Sequence, residues 1–246
     1  MEDQKNCKWE KFGAIGVLSI GNPPENFIEE PEFVKLEWLE RITQDTSLKG
    51  LIIKGVGRHF SAGADMNLLK KLAQNNTLLT EKIAEGKKLI RFIENLNIPV
   101  IASISGVCFG AGLEIALACH IRICSENALF AFPETNHSIM PGLGGTVMLT
   151  KLIGSGKSSE IILTGETVNA QKALEYKLAD FVIPTQELHT FSIEFLNEII
   201  GDRDIDVINS VMKSIHNSLT LSFENALEEE TKLFCALALK SMRDNQ

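Results

Sequence analysis

Apolar residues along this chain fall into short unbroken runs and into stripes spaced three and four apart. The runs "AIGVLSI" (14–20), "LKGLIIKG" (48–55) and "IPVIASI" (98–104) are flanked by turn-forming Gly, Pro or Asn, the mark of strands buried on both faces. "HIRICS", "ALFAFPE" and "LADFVIP" predict three further strands, the middle one ending at Pro133. Between the runs the spacing becomes helical. Leu79, Ile83, Ile90 and Ile93 share one face of the segment 77–93, and Phe33, Leu36, Leu39 and Ile42 share one face of "EEPEFVKLEWLERI". Helices are also expected in "MNLLKKL", "GAGLEIALAC", "GGTVMLTKLI", "GKSSEIILTG" and "NAQKALEYK".

Strands alternating with helices predict an α/β fold with mainly parallel pairing. Strand signals stop near Gln186. Residues 1–185 therefore read as the α/β core, and 186–246 as a helical appendage suited to assembly, with Phe223, Leu227, Phe234 and Leu237 on one face.

A net charge of −8 argues against non-specific nucleic-acid binding and against a basic membrane-surface helix. No apolar run reaches the length of a membrane span, because "IPVIASISGVCFGAGLEIALACHIRIC" is interrupted by Pro, Ser, Gly and Glu114. "MEDQKNCKWE" has no signal-peptide pattern and "MRDNQ" no targeting tripeptide, so elimination leaves the cytoplasm. Five loosely spaced cysteines form neither a disulfide framework nor a zinc site, and the five histidines lack metal-binding spacing. "LIGSGKSS" has Lys151 where a phosphate-binding P-loop needs its first Gly, and "GAGLEI" lacks the third Gly of a dinucleotide fingerprint.

One acid stands out. Between Glu94 and Arg122 the only Asp, Glu, Lys or Arg is Glu114, in the middle of "GVCFGAGLEIALACH". It lies about one turn into a helix whose first N–H groups point outward and favour negative charge. It either caps its own helix, pairs with Arg122, or serves as a catalytic carboxylate in an apolar wall. Glu134, twenty positions on, ends a strand in "FAFPETNHSIMPGLGGT". Alone it reads as a loop acid; beside Glu114 in one crevice it could share acid and base work. In "GRHFSAGADM" small residues leave backbone N–H groups open to an oxyanion, and Asp65 is placed to cap the helix starting near Met66.

"GRHFSAGADM", "PVIASISGVCFGAGLEIALACHIRICSENALFAFPE" and "PGLGGT", in this order and continuous with flanking sequence from about Ala14 to Pro184, resemble the crotonase (enoyl-CoA hydratase/isomerase) superfamily. The resemblance implies a spiral of ββα units with a helical C-terminal trimerisation region, assembled as a homotrimer or dimer of trimers. It implies an acyl-CoA thioester substrate and no separate cofactor, coenzyme A being part of the substrate. Carried over by position, Glu114 and Glu134 would be the acids, the N–H groups of Ala64 and Ala111 the oxyanion hole, and Gly142 the backbone that positions water. Ala62 and Asp65 would line the substrate site, and no metal is implied. The activity so implied is hydration of a 2-enoyl-CoA to a 3-hydroxyacyl-CoA. An isomerase, thioester hydrolase, decarboxylase or non-catalytic trimeric scaffold of the same fold are the alternatives.

Several positions depart from the family's usual pattern. Val147-Met148 replaces Gln-Arg after "GGT", Ser138 stands where Gly is common, Ala111 replaces a commoner Gly, and His137 takes an ordinarily apolar place. The tail stops soon after "LFCALALKSM", where many members of the family continue into a basic segment that contacts coenzyme A. It leaves Arg58, Lys70 and Lys71 as candidate phosphate contacts, with solvated surface as their default reading.

Overall fold

A computed structural model describes residues 6–244. The expectations drawn from the first five residues and from Asn245 and Gln246 lie outside this range. The larger sheet has the order β1 (Cys7–Phe12), β2 (Ile15–Ile20), β3 (Gly50–Gly55), β4 (Val100–Ile104), β6 (Ile121–Ser125) and β9 (Phe181–Ile183). The β1–β2 pair is antiparallel and every other neighbouring pair is parallel. The smaller sheet joins β5 (Val107–Phe109), β7 (Leu129–Ala131) and β8 (Val168–Asn169). The chain passes directly from β4 to β5, turns through helix α4 (Ala111–Ala118), then repeats the step from β6 to β7. Each circuit thus lays one strand in each sheet, which makes a ββα spiral.

The remaining helices cover this frame: α1 (Leu36–Thr43), α2 (Met66–Leu72), α3 (Asn76–Glu94), α5 (Gly145–Ile153), α6 (Ser155–Thr164), α7 (Ala170–Glu175), α8 (Leu188–Ile200), α9 (Ile205–Thr220) and α10 (Phe223–Asp244). The core runs between the sheets and helices, centred on fully buried Leu18, Leu51, Ile52, Ile53, Leu89, Phe130 and Phe132. Every residue of α4 is buried, so its apolar composition needs no amphipathic stripe. Of the predicted stripe, helix α3 buries Ile90 and Ile93 and half-buries Leu79 and Ile83; it also buries Leu89.

Helix α8, although it follows Gln186, lies on the larger sheet. Its Ser192 Oγ donates to Leu188 O at 2.7 Å and accepts from Ser103 Oγ at 3.0 Å, and a methyl group on Gly50 would meet Leu196 at 2.9 Å. Helices α9 and α10 pack on each other and leave Ile215, Leu219, Phe223 and Phe234 exposed. Among the described residues no helix is long and apolar enough to cross a membrane.

Four elements and the start of one helix escape the pattern reading. Strand β1, "CKWEKF", buries Cys7 and half-buries Trp9 and Glu10 but exposes Lys8, Lys11 and Phe12, as an edge strand does. Strands β5 and β8 are too short for any periodicity to show. Residues Pro133–His137 form a 3-10 turn, closed by Ser138 in the left-handed conformation. Helix α1 begins only at Leu36, where Glu32 Oε1 accepts the Leu36 N–H at 3.0 Å.

Candidate active site

The site follows from the register of the smaller sheet. Phe109 and Ala131 are partners in the parallel β5–β7 pair, so the chain leaves both strands at the same level. Gly110 N–H donates to Ala131 O at 2.9 Å and begins α4; Pro133 begins the 3-10 turn beside it. On the other side of β5, Ser61 bridges Cys108 and leads into Ala62–Asp65. Three loops therefore converge at the carboxyl ends of parallel strands, where ligands bind in α/β sheets.

Those loops border a cavity of about 440 Å³. Ala62, Ala64, Asp65, Ala111, Glu114, Glu134 and Gly142 all line it, as does His137. The rest of the wall is mostly apolar, with Leu69 and Leu72 of α2, Leu79 and Ile83 of α3, and Met140. Arg58 and Lys70 do not form part of this wall; both lie exposed outside it. Lys71 is likewise exposed.

Glu114 is neither the cap of its own helix nor the partner of Arg122. Arg122 is buried and satisfied elsewhere: its guanidinium donates to Leu178 O at 2.9 Å, to Cys119 O at 2.7 Å and to Asp180 Oδ2 at 3.3 Å. The Oε1 of Glu114 accepts the N–H groups of Leu143 and Gly145, each at 2.7 Å. These belong to the start of α5, so a second helix N-terminus faces the carboxylate. Burial raises the Glu114 pKa, and the two N–H bonds pull against that rise. Gly145 is required for this closeness, since a methyl group there would lie 3.0 Å from Glu114 Cγ. A carboxylate and its backbone donors twenty-nine and thirty-one positions apart leave no local pattern. The one sequence signal for these donors was the glycine-rich start of α5, where free N–H groups had to point somewhere.

Glu134 is held differently. Its Oε2 is shut off from solvent and accepts no hydrogen bond among the described residues. Burial, reinforced by the charge of Glu114, pushes its pKa up to about 7. The two acids therefore sit in unlike surroundings, one anchored by two backbone donors from another helix and one with an oxygen that has no donor among the described residues.

The N–H of Ala64 faces away from the neighbouring segment. In the Ile28–Ala64 bridge the bonds run from Ile28 N–H to Gly63 O at 2.8 Å and from Asp65 N–H to Ile28 O at 3.0 Å. This parallel pattern turns the Ala64 N–H to the opposite side. The Ala111 N–H is the first of α4 and has no acceptor within its helix. A methyl group placed on Gly63 would lie 3.6 Å from Ala111 N, so the two donor segments are in contact. Asp65 has the capping role read from the sequence, its carboxylate accepting from Asn67 N–H at 2.8 Å and Leu68 N–H at 3.2 Å.

A sequence profile of the enoyl-CoA hydratase/isomerase family matches residues 10–244. The chain belongs to this family. It is 33% identical over 223 residues to a probable enoyl-CoA hydratase of Bacillus subtilis, an alignment spanning 89% of this chain and 85% of that protein. It is also 33% identical to the short-chain-enoyl-CoA hydratase of Clostridium acetobutylicum, over 93% of this chain and 88% of the relative. The solved enoyl-CoA hydratase of Bacillus anthracis superposes with a TM-score of 0.84 at 28% identity, covering 98% of this chain and 97% of that one. This family member thus has the crotonase fold that its motifs implied.

Proposed function

We infer that this protein is an enoyl-CoA hydratase, a lyase that adds water reversibly across the double bond of a 2-enoyl-CoA. The observation that carries the reading is the meeting of two unlike carboxylates, Glu114 and Glu134, on one cavity that also borders Ala64 and Ala111. Relatives named as hydratases support it.

In this reading the thioester carbonyl accepts the Ala64 and Ala111 N–H groups, which stabilise the enolate as water attacks C3. Glu114, its pKa raised by burial against the pull of the Leu143 and Gly145 N–H bonds, takes a proton from the water in its ionised form. Glu134, protonated near neutral pH because its carboxyl is buried, gives a proton to C2. The Gly142 backbone helps to hold the water, and Ala62 and Asp65 line the path of the thioester. The chemistry needs no cofactor, since coenzyme A is carried by the substrate. The apolar wall from Leu69 to Ile83 receives the acyl chain.

The assembly we propose is a homotrimer or a dimer of trimers, with the exposed apolar residues of α9 and α10 covered by neighbouring copies. Purified protein mixed with crotonyl-CoA tests the activity through loss of the enone absorbance. A panel of longer enoyl-CoA esters then defines the acyl preference. Absence of turnover with every ester would refute the hydratase reading.

A further inference from the structure

The hydratase reading names two backbone donors but not what holds them in register. We propose that Ser61 is the positioning residue that sets the Ala64 donor loop against the Ala111 helix start; this rests on the hydratase reading above. Ser61 is completely buried, and each of its polar groups is used within the site's own frame. Its N–H donates to Val107 O at 3.0 Å, and its carbonyl accepts the Phe109 N–H at 2.9 Å, which adds it as a strand to β5. Its hydroxyl donates to Asn26 O at 2.7 Å and accepts the Gly63 N–H at 3.1 Å.

The hydroxyl therefore adds a further link between two segments that also meet through Ala62 N–H to Glu25 O at 2.9 Å and Ile28 N–H to Gly63 O at 2.8 Å, and it partners the Asn26 carbonyl and the Gly63 N–H between those bonds. On one side is Asn26, itself fully buried, whose side-chain amide donates to Val56 O at 2.8 Å and His59 O at 2.7 Å. On the other is Gly63, whose left-handed conformation, with φ of +95°, turns the chain so that Ala64 N–H leaves the Ile28 side. Meanwhile the β-carbon of Ser61 abuts α4: a methyl group on Gly112 would stand 2.7 Å from it. One residue thus touches the strand before Ala111, the helix turn after it, and the loop that carries Ala64. A dry pocket without that hydroxyl would leave the Gly63 N–H and the Asn26 carbonyl unpaired, and the loop would have to move to recover partners.

The geometry assigns Ser61 no contact with substrate, so its effect is on donor alignment. Small displacements of donors from the developing oxyanion reduce rate far more than binding. The test compares wild type, Ser61→Ala and Ser61→Cys, the thiol keeping a weak donor and acceptor. Readouts are kcat and KM for crotonyl-CoA, thermal midpoint, and the red shift of a chromophoric cinnamoyl-CoA thioester on binding, which reports polarisation of its carbonyl. The expected result for Ser61→Ala is a fall in kcat of about tenfold or more, with KM changed less than about threefold and a smaller red shift. Ser61→Cys is expected to recover part of both. Unchanged kcat and red shift in Ser61→Ala would overturn the proposal. A lower midpoint with an unaltered red shift would also overturn it, by giving Ser61 a general folding role. Should Ser61→Ala not fold, Ser61→Cys decides: a wild-type red shift and kcat at the longer, weaker contacts would overturn the assignment. Wild-type protein that neither hydrates crotonyl-CoA nor shifts the chromophore sinks the hydratase reading instead.

Discussion

The carboxylate of Glu134 rests against the α-carbon of Gly110: a methyl group at Gly110 would stand 2.8 Å from Glu134 Oε1. Gly110 also has φ of +50°, a conformation that side chains disfavour, and it is the residue from which α4 springs. The start of the Glu114 helix and the position of Glu134 are therefore fixed by one small residue. Gly110→Ala is expected to destabilise the fold by about 1 kcal/mol or more through backbone strain. It should also cut hydration by about 100-fold by displacing Glu134. Denaturant unfolding and crotonyl-CoA kinetics check the two effects separately.

The raised pKa of Glu134 makes a signed prediction for activity. Hydration needs its proton, and that proton is lost as pH rises through about 7. The kcat/KM for hydration should therefore decline above this range, and that for the reverse dehydration should decline in parallel, because both directions use the singly protonated pair of acids and the overall reaction releases no proton. A pH profile measured in both directions would show the same alkaline limb, and a flat profile through about pH 7 would contradict the role of the Glu134 proton.

The same shift predicts stability. The native carboxyl binds its proton more tightly than the ordinary value of 4.5 allows, so the native state loses stability as pH rises from about 4.5 to about 7. Replacing Glu134 with Gln removes that loss. The variant should be more stable than wild type at about pH 8, by on the order of 1 kcal/mol once solvent screening is allowed for, and equal to it near pH 4. Thermal melts at the two pH values give the comparison.

Glu114→Gln keeps an oxygen that can accept the Leu143 and Gly145 N–H groups, so the variant should fold normally. It removes the base, and a loss of about 100- to 10,000-fold in kcat is expected. Arg122→Met provides the contrast. It abolishes three guanidinium contacts remote from the carboxylate and should cost about 2–3 kcal/mol of stability, while the pH dependence of the folded enzyme stays that of wild type. A shifted pH profile in Arg122→Met would show that Arg122 does act on Glu114.

The assembly proposal is tested on α10. Phe234 is 69% exposed in the single chain. If neighbouring copies cover it, Phe234→Asp buries a charge at that contact and should yield monomers by sedimentation, whereas wild type sediments as a trimer or hexamer.

Much of the frame was legible because it obeys simple periods. The stripe Leu79–Ile83–Ile90–Ile93 is helix α3, and the run Leu51–Ile53 is a central strand with fully buried side chains. Glu114 was legible because a lone carboxylate in an apolar segment is rare, and Asp65 because capping is a local rule. What stayed hidden involves distant partners or very short elements. Strand β5, at three residues, sits in a segment whose composition reads as helix. Arg122 was available as a partner for Glu114 by sequence proximity, but its guanidinium turns to Leu178 and Asp180, more than fifty positions on. The hydroxyl of Ser61 has no local signature either, since its donor and acceptor contacts depend on how Asn26 and Gly63 meet in three dimensions.

The most direct test is the hydration rate of Glu134→Gln with crotonyl-CoA, measured beside wild type at a pH below 7 where wild-type Glu134 holds its proton. The variant is expected to fold and to turn over at least about 100-fold more slowly. Hydration at the wild-type rate would contradict the assignment of Glu134 as the proton donor, and with it the two-carboxylate mechanism.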